Sequence, residues 1–143
     1  MSTIQEQNKA ISRHWREEID KGNWSINEEL ISPNFLLHMP GSPPMNLEGV
    51  TQMLKMFYGA FPDLHHTFDD FVAEGDKVAL RFTLNGTHKG DFQGIPPTGK
   101  TVKISASVVD RIVDGKIVEH WSLLDTMGMM QQLGVIPLPG QDG

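Results

Sequence analysis

Near its C-terminal end the chain reads GKIVEHWSLLD, Gly115 to Asp125, an apolar run interrupted by Glu119, His120, Ser122 and Asp125. A plain core strand has no use for so many polar side chains, so this stretch is the first place to look for chemistry. On a regular strand Val118, His120, Ser122 and Leu124 share one face, and Glu119, Trp121, Leu123 and Asp125 share the other. If the first face lines a pocket, His120 is the group that titrates near neutral pH and can exchange a proton there. Asp125 closes the run and has two readings: cap of a helix starting at Thr126, or catalytic carboxylate if a bulge turns it inward. His38 follows FLL and precedes Pro40-Gly41, either at a pocket mouth or on the surface. Arg81 puts a charge within a strand, where it either orients a carboxylate inside the fold or pairs with an acid on the next strand. Trp15 and Phe57 read as pocket wall, and eight methionines give such a wall adaptability.

The elements that must carry these residues follow from periodicity. Ile4, Ile11, Trp15 and Ile19 recur at helical spacing and predict an amphipathic helix ending near Gly22. The stretch NWSINEELIS continues as a short helix that Ser32-Pro33-Asn34 should stop, and FLLHM is a short strand. Val50, Met53, Leu54, Phe57 and Phe61 mark a second amphipathic helix. From about residue 64 the period changes to two. Val78, Leu80, Phe82 and Leu84 define one strand face, and Val102, Ile104, Ala106 and Val108 define another. Glu74-Gly75-Asp76 and Asp114-Gly115 are hairpin turns. TMGMMQQLGV caps the domain as a short helix, and residues 135–143 read as a frayed tail. Helices first and then consecutive hairpins define an α+β fold, a curved antiparallel sheet packed on helices, in one domain over residues 1–143.

Composition removes several classes of function. The chain has 143 residues, a formal net charge of −6 and no cysteine. An acidic chain without a basic stripe is a poor nucleic-acid binder. Without cysteine there is neither a thiolate nucleophile nor a cysteine metal site, and no other clustered metal ligands stand out. His65 and His66 are adjacent on a strand and point to opposite faces. The N-terminus lacks an apolar signal segment, and no run reaches the roughly 18 apolar residues of a membrane span, so a cytoplasmic protein with no membrane partner is expected. GIPPTGKT, Gly94 to Thr101, matches a phosphate-loop pattern but fails its mechanism. Pro96 and Pro97 have no N–H to offer a phosphate, and the following residues alternate like a strand instead of opening a helix.

Residues 61–134 carry FPDL, GDKV, GTH, GIPPTG, DGKIVEHW and QQLG in order. With the preceding helices, this resembles the SnoaL-like polyketide cyclases, members of the superfamily that includes nuclear transport factor 2, ketosteroid isomerase and scytalone dehydratase. The resemblance implies a cone-shaped α+β barrel with an apolar pocket, a small apolar or polyketide-like ligand, and acid/base chemistry without a cofactor, such as an intramolecular aldol closure, an isomerisation or a dehydration. A homo-oligomer, a dimer or tetramer, is expected as well. The family's general acid/base is an aspartate directly after His-Trp, where this chain has Ser122. A cavity-facing histidine or acid on the preceding strand falls at Val108. A serine hydroxyl cannot take a proton near pH 7 without a partner base. Three functions stay open at this point: a pocket enzyme using another base, with Val108 and Ser122 against the substrate; a binding protein that has lost its acid; and an assembly module built on the outer sheet face.

Overall fold

The computed structural model describes residues 2–137. Its elements are α1 (Ile4–Asp20), α2 (Ile26–Leu30), β1 (Ile31–His38), α3 (Leu47–Ala60), β2 (His65–Glu74), β3 (Lys77–Thr87), β4 (Thr101–Val113), β5 (Lys116–Leu124) and α4 (Thr126–Gln132). The strands form one sheet in the order β1-β5-β4-β3-β2, with β1 parallel to β5 and every other pair antiparallel. The sheet is curved but unclosed, because β1 and β2 remain as edges. The expected barrel is therefore an open one.

Alternation builds the concave face. Val78, Leu80, Phe82 and Leu84 of β3 and Val102, Ile104, Ala106 and Val108 of β4 are all buried, while Lys77, Ala79, Arg81, Lys103 and Ser107 between them are exposed. Against that face α1 lays Trp15 and Ile19, and α2 adds Ile26. Thr3 and Glu6 start α1 in the capping-box spacing, and the Thr3 hydroxyl accepts the Glu6 N–H at 3.1 Å. Asp114 and Gly115, both at positive φ (51° and 77°), make the two-residue turn that suits the twist between β4 and β5.

Two local departures from the sequence reading matter. Ser32-Pro33-Asn34 does not separate the α2 region from a strand but lies within β1, where the pairing with β5 is irregular between Ile31 and Leu36. A proline is tolerated there because β1 is an edge strand. In β5 the register against β4 shifts, with Arg111 opposite Glu119 but Ile112 opposite Ile117, so Val118 is an extra residue. This bulge puts Ile117 and His120 inside together and removes Val118 from the face it was expected to share with His120. The last residues of the expected tail, 138–143, lie outside the described residues.

Residues 88–100 fold back as a loop that leads into β4, with strand conformation beginning at Thr101. The loop is pinned to the end of α3, since Lys89 and Gly90 both donate to the Ala60 carbonyl at 3.0 Å. A Cβ on Gly90 would stand 2.4 Å from the Gly59 carbonyl oxygen. Gly90→Ala is therefore expected to lower stability by about 1–3 kcal/mol, as overpacking against backbone does. Urea unfolding midpoints of the two proteins measure it.

Candidate active site

Between α1, α3 and the concave sheet lies a cavity of about 80 Å³. Its wall is mostly apolar, with Ile19, Leu37, Phe57, Leu64, Phe82 and Val108 among its residues. The polar groups on it are Arg16, Tyr58, His66, His120 and Ser122. Trp15, Phe57, Val108 and Ser122 also line it.

The register of β4 and β5 sets the chemistry. Val108 lies directly opposite Ser122, and two pairs along the same ladder, on the same face, Asp110 lies opposite His120. The acid that the family pattern places after His-Trp is missing, but a carboxylate stands beside the histidine all the same. His120 Nδ1 is 2.6 Å from Asp110 Oδ1. From α1, Arg16 grips the same carboxylate with two bonds, Nη1 to Oδ2 at 2.6 Å and Nη2 to Oδ1 at 3.1 Å, and it also donates to the Ser12 carbonyl. Both side chains of the ion pair are sealed, Arg16 4% exposed and Asp110 not at all.

Electrostatics then fixes the protons. Burial alone would raise the Asp110 carboxyl, but the Arg16 guanidinium and the bond to His120 together outweigh it and hold Asp110 well below the usual carboxylate range. An ionised carboxylate only accepts, so His120 keeps its proton on Nδ1 and Nε2 bears the free lone pair. Burial also pushes the His120 pKa below its ordinary value, more than Asp110 pulls it up, and the charge of Arg16 adds to the lowering. Trp15 meets the His120 ring edge-on at 5.9 Å and Phe35 stacks on it at 6.5 Å, which accounts for the desolvation. The result is a neutral imidazole with an oriented, unshared lone pair. Among the described residues the sealed, unpartnered side-chain polar atoms are Ser12 Oγ and His88 Nε2. His120 Nε2 has no protein partner either, so it is reachable. No hydrogen bond joins Ser122 to His120, so the two do not form a serine nucleophile with its base.

The other sequence candidates lie elsewhere. Asp125 is exposed and caps α4, its Oδ1 accepting the Gly128 N–H at 2.9 Å, because β5 ends at Leu124 without a bulge that would turn the next residue inward. His38 bonds Glu119 at 2.7 Å and stacks on Trp121, and it borders a separate hollow with Met39, Pro40 and Ser122 and not the cavity. Arg81 projects from the outer face and pairs with Asp70 of β2. Strand alternation explains all three placements. Asp110 and Arg16 escaped the sequence reading, although extending the β4 alternation from Val108 by one step reaches Asp110.

The curved sheet and its helices thus hold an apolar cavity with a carboxylate-bonded histidine on its wall. The chain belongs to the SnoaL-like polyketide cyclase family, whose family model matches residues 9–133. The aklanonic acid methyl ester cyclase DnrD of Streptomyces peucetius is 31% identical over 119 residues, covering 82% of this chain and 80% of that protein. Among solved structures, AclR of Streptomyces galilaeus, a proposed hydroxylase, is 30% identical with a TM-score of 0.84, covering 91% of this chain and 97% of its own. IdmH of Streptomyces antibioticus, a proposed polyketide cyclase, is 34% identical with a TM-score of 0.82, covering 90% and 99%. Among the described residues no helix is long and apolar enough to cross a membrane.

Proposed function

We propose that this protein is a polyketide cyclase-type enzyme in which neutral His120 is the general base, Asp110 orients it, and Arg16 keeps Asp110 ionised. The observation that carries this reading is the buried Arg16–Asp110–His120 chain ending in a bare Nε2 at an apolar cavity. In an intramolecular aldol closure, His120 Nε2 takes the proton from a carbon next to a carbonyl. The enolate carbon attacks a second carbonyl of the same molecule, and the C–C bond forms as that C=O becomes an alkoxide. The imidazolium then returns its proton to the alkoxide oxygen, so the product is an isomer of the substrate. The developing imidazolium is stabilised by the Asp110 carboxylate, the same division of labour seen in serine-protease triads. Binding without catalysis was favoured by Ser122 in the place of the family acid. The Asp110–His120 pair, next along the same face of the sheet, weakens that argument.

The cavity as it stands is smaller than the roughly 150 Å³ known to hold one benzene. A fused-ring ligand therefore requires the wall to give. The wall can yield on the α3 side, where Met53, Leu54 and Phe57 are only half-buried and just Val50 and Ala60 are fully so. Self-association through the outer sheet face has support in Leu123, 59% exposed on β5 two residues from Trp121.

Incubation with aklanonic acid methyl ester, the compound named for the relatives, tests the function. The wild type should convert it to a product of unchanged mass and altered retention, while His120→Ala should not. An equal rate in His120→Ala would remove His120 from the mechanism, and no conversion by the wild type would remove this substrate class.

A further inference from the structure

The cavity has a second histidine–carboxylate unit that the proposed mechanism does not use. Asp20, the last residue of α1, accepts the His66 backbone N–H at 2.9 Å, contacts His66 Nδ1 at 2.8 Å and accepts the Tyr58 hydroxyl at 2.5 Å. These residues come from α1, α3 and β2, so three elements converge to fix one imidazole ring. Phe82 and Phe68 pack on its faces.

We propose that His66 is the ligand-orienting group of the cavity, its Nε2 accepting a hydrogen bond from a phenolic or enolic hydroxyl and so selecting hydroxylated ring compounds. The geometry supplies the reason. With Asp20 ionised, its oxygens only accept, so the His66 proton sits on Nδ1 and Nε2 carries a bare lone pair. No protein donor reaches that atom, and it is not sealed away. The ring instead lines a cavity whose neighbouring surface is Ile19, Leu64, Phe82 and Leu84. An acceptor facing apolar surface is unfavourable until something donates to it. A carbonyl oxygen cannot donate and a hydroxyl can.

The charged and titratable groups around the ring keep it an acceptor. Burial of Asp20 is outweighed by its bonds to His66 and Tyr58, which hold its carboxyl below the ordinary range. Burial, and then Asp20, hold the Tyr58 hydroxyl protonated far into alkaline solution, so Tyr58 stays a donor to Asp20. His66 itself is kept neutral mainly by burial, with Arg16 and His65 adding to the lowering against the pull of Asp20. A histidine serving only to satisfy Asp20 would need one nitrogen; the second nitrogen of this cavity-lining ring has no protein partner.

The inference rests on the reading that this cavity binds the ligand, but not on turnover by His120. It is tested with 1-naphthol and naphthalene as probes, titrated by quenching of tryptophan fluorescence, since Trp15 is in the wall. The wild type should bind 1-naphthol about three- to tenfold more tightly than naphthalene, the range expected for one net hydrogen bond. His66→Phe should level the two affinities. A wild type that shows no preference, or no saturable binding of 1-naphthol, overturns the proposal, as does a preference that survives in His66→Phe. A second measurement avoids mutation. In 15N-labelled wild type, the His66 Nε2 resonance should move upfield with 1-naphthol and stay in place with naphthalene. A resonance that ignores both overturns it. A preference that persists in His66→Phe while His120→Ala still loses conversion would sink this inference alone. A preference lost in His66→Phe, with equal rates of conversion in His120→Ala and the wild type, would sink the catalytic reading alone.

Discussion

Asp110→Ala is expected to lower the free energy of unfolding by about 3–5 kcal/mol, the range for removing one partner of a buried ion pair. Urea denaturation at pH 7 measures it. The size follows from what is left behind. Arg16 is sealed by α1 and the sheet, and its remaining protein acceptor is the Ser12 carbonyl, so the guanidinium keeps its charge in a site that water does not reach. His120 loses the acceptor for its Nδ1 proton in the same step. Adding Arg16→Met to Asp110→Ala should recover most of the loss, because removing both charges leaves no buried ion unpaired. The coupling between the two substitutions should be strongly favourable in a double-mutant cycle. A loss below about 1 kcal/mol in Asp110→Ala, the level of an exposed pair, would mean that water enters the site and that the ion pair does not hold the imidazole.

The same ion pair shows which parts of this protein are legible in its sequence. Local patterns were sufficient for the elements, because helix and strand periods are properties of neighbouring residues. Trp15 and Ile19 on α1, the buried rows of β3 and β4, and the Asp114-Gly115 turn all follow from spacing alone. The family likeness drew attention to β5 and made Ser122 conspicuous. What spacing could not supply was register. Asp110 is next to His120 only because β4 and β5 pair as they do, and His120 faces inward beside Ile117 only because Val118 is bulged. Arg16 follows Trp15 directly and looks like one more charged residue between apolar positions. Its role appears only when α1 packs on the sheet and the side chain reaches Asp110 of β4, 94 residues away in sequence. Asp20, Tyr58 and His66 come together for the same reason, from three separate elements. Residues that act at a distance in sequence leave little local trace, whereas those that act through the pleat of one strand do. The outward placements of His38 and Arg81 follow the pleat of their strands and Asp125 follows the end of β5, and each side chain has a partner at the surface.

Asp110→Asn separates the proposed proton transfer from the structural part of that arrangement. Asparagine keeps the shape and removes the charge. Its carbonyl oxygen serves Arg16, so its NH₂ is left facing His120 Nδ1 and can only donate. The imidazole must then move its proton to Nε2, the atom that should accept one from the substrate. Turnover of a cyclised substrate should fall by about 10²–10⁴-fold in kcat, the usual share of a positioned acid/base, with KM changed little because the substitution adds and removes nothing at the cavity wall. The pH profile gives a readout that loss of packing would not. In the wild type the acid limb of kcat/KM should lie below 6.5, the ordinary histidine value, since burial depresses His120. Asp110 is the group that pulls the His120 pKa upward, so in Asp110→Asn whatever activity remains should have its limb displaced to still lower pH. An unchanged kcat in Asp110→Asn, or a limb at the wild-type position, would show that the proton acceptor is not the imidazole held by Asp110. The Arg16–Asp110–His120 chain would then be a purely structural solution to burying an arginine under α1.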